Sequence, residues 1–368
     1  MKKKKLFVVA GTRPEMIKVA PLVRELLKAP WADAELLLTG QHAEVIMPLL
    51  KHFEIPGHRL LPIKRERGTL SELISQVSAG LDKIIAEQKP DGIIVQGDTT
   101  SAMSAALCGY SDRIPVFHVE AGLRSFDMEQ PFPEEFNRRV VSLAAALHFA
   151  PTEVSRGHLL KEGIPESRCH VVGNTVIDAL LWTTEKARQR EPLFKPGSFR
   201  ILATCHRRES WDSGLDNVCR ALAEIVARIP HAHVVFPVHP NPKVKETVER
   251  ILGVDAKVTL CPPMGYEDFC AAMGEADVII SDSGGVQEEA LALGKATLVT
   301  RWKTERPEVL DWDTVRLVGP DFERIVAELM RLHDDKAHFA KCSVAGFPFG
   351  KGDSSQRITE LIRQFWND

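Results

Sequence analysis

Short aliphatic, β-rich runs alternate along the chain with longer stretches whose apolar positions recur at helical spacing. Residues 6–10 precede a helical pattern over 14–28, 35–39 precede 44–53, and 92–96 precede 99–110. Strand, crossover helix, strand is the βαβ unit, so the pattern predicts a parallel sheet. Residues 114–117 read as a further short buried strand. A second series follows: strands at 200–204, 234–237, 258–261, 278–281 and 297–299, with helices over about 214–228 and 284–293. The predicted fold class is therefore α/β, with two doubly wound Rossmann-like domains in tandem. We place the first at 1–172 and the second at 173–353, joined after Val171-Val172-Gly173-Asn174. A last helix within 354–368 is expected to cross back onto the first domain. Two such sheets facing across a cleft lined by strand carboxyl ends make the usual ligand site of these folds.

Composition agrees with this picture and removes several alternatives. The chain has 368 residues, of which 44% are hydrophobic and 26% charged, as expected of a soluble globular protein. At about 150 residues per domain its length fits two domains. A formal net charge of -3 gives no electrostatic case for nucleic acid. The basic run Lys2 to Lys5 precedes an apolar run too short for a signal-peptide core, so it reads as a solvated chain start. No apolar stretch reaches membrane-spanning length. The seven cysteines are scattered, without CxxC or other metal-ligand spacing. Reduced thiols in a cytoplasmic protein are the expectation.

Candidate chemistry concentrates in HVEAGLRSFDMEQPFPEEFNRR, residues 118–139. Glu120 falls at the carboxyl end of a predicted strand, next to Gly122 and shortly before Arg124. Burial there raises a carboxylate towards a catalytic range. Pro133 at a first helical position, then Glu134, Glu135, Arg138 and Arg139, reads as a helix start. It fits a capped helix with i,i+4 pairs from Glu134 to Arg138 and Glu135 to Arg139 as well as it fits a site.

Two strand-turn-helix stretches suit anions. Gly11-Thr12-Arg13-Pro14-Glu15, with Lys18 a turn later, puts cations and helix-start amides together; two solvated cations on an ordinary helix explain it equally. Ser281-Asp282-Ser283-Gly284-Gly285 opens an apolar helix carrying Glu288 and Glu289. Small residues there let amides and the Ser283 hydroxyl approach a diphosphate, while Glu289 can accept from ribose hydroxyls. Neither stretch contains GxGxxG or GxxxxGK[ST], which disfavours dinucleotide and ATPase readings. His206, with Arg207 and Arg208, closes the first strand of the second domain and suits a leaving group, phosphate or carboxylate. His239, between prolines, lines a cleft or fixes a turn. Gln41 and His42 have the same two readings.

Taken together, GTRPEMIK, TGQH, QGDTTS, HVEAGLRS, PEEFNRR, HRRES, PVHPNP, DSGGVQEEA and TERPE resemble, in order and over nearly the whole chain, the non-hydrolysing UDP-N-acetylglucosamine 2-epimerases. That resemblance implies a glycosyltransferase B-type fold, a homodimer, and conversion of UDP-GlcNAc to UDP-ManNAc for envelope polysaccharide. The implied route eliminates UDP to a 2-acetamidoglucal and adds it back, without metal or redox cofactor. Asp98, Glu120, Glu134 and His206 match catalytic positions. Arg13, Lys18 and Arg138 match cationic positions around the diphosphate, and Ser283, Gly284, Gly285 and Glu289 match the UDP site. His239 is carried over as substrate-binding.

The chain departs from the family in three places. Ala43 and Glu44 stand where a polar, Arg-containing run commonly follows Gln41-His42. In many bacterial members Gln41, residues of that loop, Arg67, Arg208 and His239 correspond to positions binding a second, activating UDP-GlcNAc, so weak or absent activation is expected. Trp302-Lys303 and the Lys64-Arg65-Glu66-Arg67 run also differ, which keeps a UDP-diacetamido-uronic acid epimerase as an alternative. A hydrolysing 2-epimerase and, more remotely, a B-type glycosyltransferase are the other rivals.

Overall fold

In the computed structural model the described residues are 2–40, 43–187, 190–205, 213–253, 255–304 and 306–367; the side chains of 43–45 and 213 lie outside the description. They form two α/β units, Met1–Ala179 with Phe349–Asp368, and Leu180–Pro348.

The first unit runs β1 (Lys4–Ala10), α1 (Arg13–Lys28), β2 (Ala32–Leu38), α2 (Ala43–His52), β3 (Arg59–Leu60), α3 (Leu70–Gln88), β4 (Gly92–Gln96), α4 (Thr100–Ser111), β5 (Val116–Val119), α5 (Glu134–Ala144), β6 (Leu147–Ala150), α6 (Glu153–Lys161), β7 (Cys169–Val171) and the start of α7 (Thr175–Ala187). Its seven strands lie in the order β3-β2-β1-β4-β5-β6-β7, all parallel. Continuous apolar strands such as Leu6 to Ala10 and Ile93 to Val95 are buried, because helices cover both faces of a parallel sheet. Strand order reverses between β1 and β4, where such sheets leave a crevice at their carboxyl ends.

The second unit continues with β8 (Phe199–Thr204), α8 (Ser213–Arg228), β9 (Ala232–Pro237), α9 (Pro242–Leu252), β10 (Val258–Cys261), α10 (Tyr266–Glu275), β11 (Val278–Ser281), α11 (Gly284–Ala292), β12 (Ala296–Val299), β13 (Val315–Leu317), α12 (Phe322–Asp334) and α13 (Lys336–Lys341). The sheet order β10-β9-β8-β11-β12-β13 puts its switch point between β8 and β11. Ile201, Val234, Phe236, Ile280, Leu298, Ile325 and Leu329 share one core.

The division between units falls inside α7, after Ala179, rather than after Val172. Hydrogen bonds explain the difference: the Asn174 amide donates to the Phe349 carbonyl at 2.6 Å, and the Ser355 amide donates to Asp178 at 2.7 Å. The first turn of α7 is thereby tied to the returning chain, which rejoins the first unit at Phe349. The returning helix, α14 (Ser354–Gln364), leads into Phe365 and Trp366, which meet Phe117 edge-on at 5.3 and 5.5 Å between ring centroids. Such aromatic contacts add to area burial.

Candidate active site

At the switch point of the first unit, Thr12 caps α1 and Glu15 completes a capping box. The Glu15 carboxylate also accepts the Gly11 amide at 2.9 Å and the Thr99 hydroxyl at 2.5 Å. Burial raises its pKa, against the pull of the Thr99, Thr12 and Gly11 bonds. A Cβ at Gly11 would stand 2.3 Å from Ser101 Oγ and 2.5 Å from Thr39 Oγ1. The turns after β1 and β4 are thus fixed to each other, and Arg13 and Lys18 project from a rigid helix start.

Glu120 follows β5 with φ of 61°, a left-handed conformation that costs a non-glycine residue roughly 1 kcal/mol or more and marks functional sites. Its neighbour Gly122 has φ of 87°, and a Cβ there would be 2.2 Å from the Ser155 carbonyl. The backbone therefore has to turn at this point. The buried Glu120 carboxylate receives Lys18 Nζ at 2.6 Å on both oxygens and Asn174 Nδ2 at 3.1 Å, together with Gln96 Nε2. Arg124 is not its partner. That guanidinium is fully buried and bonds Glu162 at 2.7 and 2.6 Å, and it holds the Glu162 carboxyl below the usual range.

Asp98, just beyond β4, is bonded by the Arg138 guanidinium, and its carbonyl accepts Asn137 Nδ2 at 2.9 Å. The start of α5 is so fastened to the turn after β4. The expected Glu134–Arg138 pair does not form: Arg138 turns to Asp98 and to Glu135, at 3.1 Å. Pro133 is the N-cap and Glu134 the first helical residue, one position later than the sequence pattern places the start. Glu135 is fully buried. It receives the Ser125 and Phe126 amides at 2.9 and 3.3 Å and Arg139 at 3.3 Å. Burial alone would raise its pKa, but the Ser125 amide and Arg138 outweigh that and lower it. Glu135 is a structural anchor for the loop preceding α5, while Glu134, half-buried, has no side-chain partner among the described residues. The structure thus brings Lys18 of α1 and Arg138 of α5 to Glu120 and Asp98, which follow the neighbouring strands β5 and β4, with Glu134 one turn ahead of Arg138.

In the second unit, β8 and β11 end side by side. The Thr204 hydroxyl donates to Ser281 Oγ at 2.9 Å and the Cys205 thiol to Asp282 at 3.5 Å. Burial pushes the Cys205 thiol up, so it stays protonated. Ser283 is the N-cap of α11, but its hydroxyl makes no capping bond. A Cβ on Gly285 would meet nothing within 4 Å. Gly285 at the helix start therefore has open space beside its backbone, which leaves room for an anion there. Glu288 is paired with Arg306, and Glu289 lies buried one residue on. His239 accepts the Asn241 amide on Nδ1 at 3.1 Å, which fixes the turn before α9.

His206, Arg208 and Gln41 lie outside the described residues, as does the side chain of Glu44 on α2. Arg67 sits in a loop whose amides, from Glu66 to Gly68, wrap the Glu72 carboxylate at 2.7 to 3.0 Å. Sequence reasoning left out Gln96 and Asn174, which hold Glu120, and Glu15, which ties the turns. Gln96 stands inside QGDTTS, but Asn174 carried no signal beyond marking a joint. Among the described residues one group, Glu328, His338 and Cys342, gathers metal-ligand atoms, and none of the three is among the predicted site residues. No described helix is long and apolar enough to cross a membrane.

A family model described as UDP-N-acetylglucosamine 2-epimerase matches residues 24–363. A curated UDP-N-acetylglucosamine 2-epimerase of Salmonella typhimurium is 44% identical, with 98% of this chain and 99% of that one covered. The crystal structure of UDP-GlcNAc 2-epimerase from Neisseria meningitidis bound to UDP-GlcNAc is 38% identical, covers 98% of this chain and 100% of its own, and superposes with a TM-score of 0.88. That of the Methanocaldococcus jannaschii enzyme in complex with UDP-GlcNAc and UDP is 33% identical over 98% and 99%, with a TM-score of 0.78.

Proposed function

The chain belongs to the UDP-N-acetylglucosamine 2-epimerase family, and on that premise we propose that it interconverts UDP-GlcNAc and UDP-ManNAc without hydrolysis. The observation that carries the reading is the carboxylate cluster of the first unit, Asp98 and Glu120 on neighbouring strand ends, each held by a cation. Epimerisation at C2 needs a base for the C2 hydrogen and charge stabilisation for departing UDP.

In the proposed route a carboxylate of the cluster takes the C2 proton. The C1–O bond breaks with its electron pair going to UDP, leaving the 2-acetamidoglucal. A proton then reaches C2 from the opposite face as UDP re-adds at C1. Glu120 has its lone pairs filled by Lys18, Gln96 and Asn174, so an arriving diphosphate that competes for Lys18 uncovers it. Glu134, without a partner among the described residues, and Asp98 supply the second acid. Ser283, Gly284, Gly285 and Glu289 bind UDP, Arg13 and Arg138 add positive charge, and His206 acts on the leaving group.

We place the enzyme in the cytoplasm as a homodimer serving envelope polysaccharide synthesis. Exposed Tyr110, Phe136 and Leu143 on α4 and α5 supply apolar surface for a second copy. Activation by UDP-GlcNAc is expected to be weak, because Ala43 and Glu44 stand in the sequence where the family carries a polar, Arg-containing run and an acid there opposes a diphosphate. Of the departures that suggested a modified sugar, Trp302 covers Gly319 and carries Arg324 on its ring at 5.4 Å, and the Glu66 and Arg67 amides bond Glu72. Trp302 and the backbone of that loop thus serve packing. Incubating the pure protein with UDP-GlcNAc or with its diacetamido-uronate analogue, without acceptor, and identifying products by NMR tests the reading. UDP-ManNAc from the first supports it; free ManNAc, or turnover of the analogue alone, replaces it.

A further inference from the structure

We propose that His118 is a positioning residue for the two carboxylates of the first unit: its Nε2 hydrogen holds the Gly97 carbonyl, and so the turn that aims Gln96 at Glu120 and Asp98 at Arg138. The inference rests on the epimerase reading above. His118 lies on β5 and is buried, with Nε2 2.9 Å from the Gly97 carbonyl oxygen. A carbonyl oxygen only accepts, so Nε2 carries the hydrogen. Burial, with His148 and Arg124 nearby, keeps the ring neutral, so that hydrogen is the only one the ring has to give.

The sheet explains why a side chain is needed there. β4 and β5 pair in parallel, and the Ile93 and Gly97 amides donate to the Pro115 and Val119 carbonyls, both at 2.9 Å. Continued by one step, that ladder brings the Ala121 amide to the Gly97 carbonyl. Glu120, with φ of 61°, turns the chain away, and the Ala121 amide donates instead to the Phe149 carbonyl of β6 at 3.0 Å. The left-handed turn that presents Glu120 therefore takes the ladder partner from Gly97, a buried residue, and a buried carbonyl requires another donor. His118, two residues before Glu120 on the same strand, supplies it. The peptide so held stands against the working groups. Gly97 has φ of 68°, and a Cβ there would lie 3.5 Å from Glu120 Oε2. On one side of it Gln96 bonds Glu120, and on the other Asp98 is bonded by Arg138. Without the ring donor the peptide after Gly97 can rotate, and both carboxylates lose their setting. The proposed UDP residues Ser283 and Glu289 belong to the second unit, which this change leaves alone.

The test compares full-length His118→Met, which fills the ring's volume without a donor, with His118→Gln, whose amide nitrogen can stand where Nε2 stands. A wild-type protein that does not epimerise UDP-GlcNAc fails the epimerase reading and this inference with it; against an active wild type, every other result bears on His118 alone. Displacing a reacting group by about 1 Å can cost about a hundredfold, so kcat in His118→Met is expected to fall about ten- to a hundredfold. KM, and UDP affinity by calorimetry, are expected to stay within about threefold of wild type, and His118→Gln to recover kcat to within about threefold. Should His118→Met not fold, nitrogen NMR of histidine-labelled wild-type protein, with His118→Gln to assign the signal, shows which ring nitrogen bears the hydrogen. Nε2 is expected between about pH 5 and pH 8, where a free imidazole titrates. Wild-type kcat in folded His118→Met, an equal loss in folded His118→Gln, a parallel fall in UDP affinity, or a hydrogen on Nδ1 overturns the proposal.

Discussion

Lys18, a turn into the first helix, contacts both oxygens of Glu120 at 2.6 Å, 102 residues away in the chain. The contact joins a cation expected to meet a diphosphate to a carboxylate expected to move a proton. In the proposed reaction the two functions are exchanged: binding the anion draws off the lysine and frees the acid.

Lys18→Met therefore impairs more than binding. It takes the lysine from Glu120 while the Gln96 and Asn174 donors remain, and removes a diphosphate contact, so UDP-GlcNAc turnover is expected to fall by roughly two orders of magnitude with a raised KM. Glu120→Gln lowers kcat similarly with KM little changed. Steady-state kinetics that show a KM effect alone for both variants contradict the coupling.

Asp98→Asn and Glu134→Gln keep size and remove the basic oxygen. Each is expected to lose at least about two orders of magnitude in kcat if it transfers a proton. Glu135→Gln is expected to act through the loop before α5, reducing thermal stability because Ser125, Phe126 and the two arginines lose their shared anion. Circular-dichroism melting separates the two classes.

Glu289→Ala tests the nucleotide site. Loss of a hydrogen-bonded carboxylate should weaken UDP binding by about 1 to 3 kcal/mol, roughly five- to 150-fold. Calorimetry with unchanged UDP affinity in the folded variant removes Glu289 from the site.

The histidines of β5 and β6 make a pH prediction. His118 and His148 are buried, and burial lowers their pKa to about 3 and about 4. The folded protein keeps both neutral while the unfolded chain takes up protons near pH 6.5. Stability is then full above that pH and declines as pH falls towards about 4, by up to about 1.4 kcal/mol per pH unit for each ring. Urea unfolding across this range is expected to show the decline, and His148→Leu to flatten it by about one proton.

How far these features could be read in advance depended on their physical origin. Tandem parallel sheets were legible because strands buried on both faces are continuous apolar runs; β3 and β13, two and three residues long, have no such run. The placement of Glu120 and Ser283 was legible because each follows a strand within a motif, whereas Asp98 was marked only by the resemblance. Partners were not. Arg138, expected to pair with Glu134, bonds Glu135 and crosses to Asp98, and Arg124, near Glu120 in sequence, bonds Glu162, since tertiary packing outranks sequence spacing. Asn174 reaches Glu120 only because the chain after β7 is tied to the returning segment at Phe349.

Turnover of UDP-GlcNAc in heavy water, followed by NMR of the product, tests the central claim most directly. Removal and return of the C2 proton places solvent deuterium at C2 of the UDP-ManNAc formed, with UDP and the glycal detectable in the mixture. UDP-ManNAc that retains the original hydrogen at C2 would contradict proton transfer by the Asp98, Glu120 and Glu134 cluster.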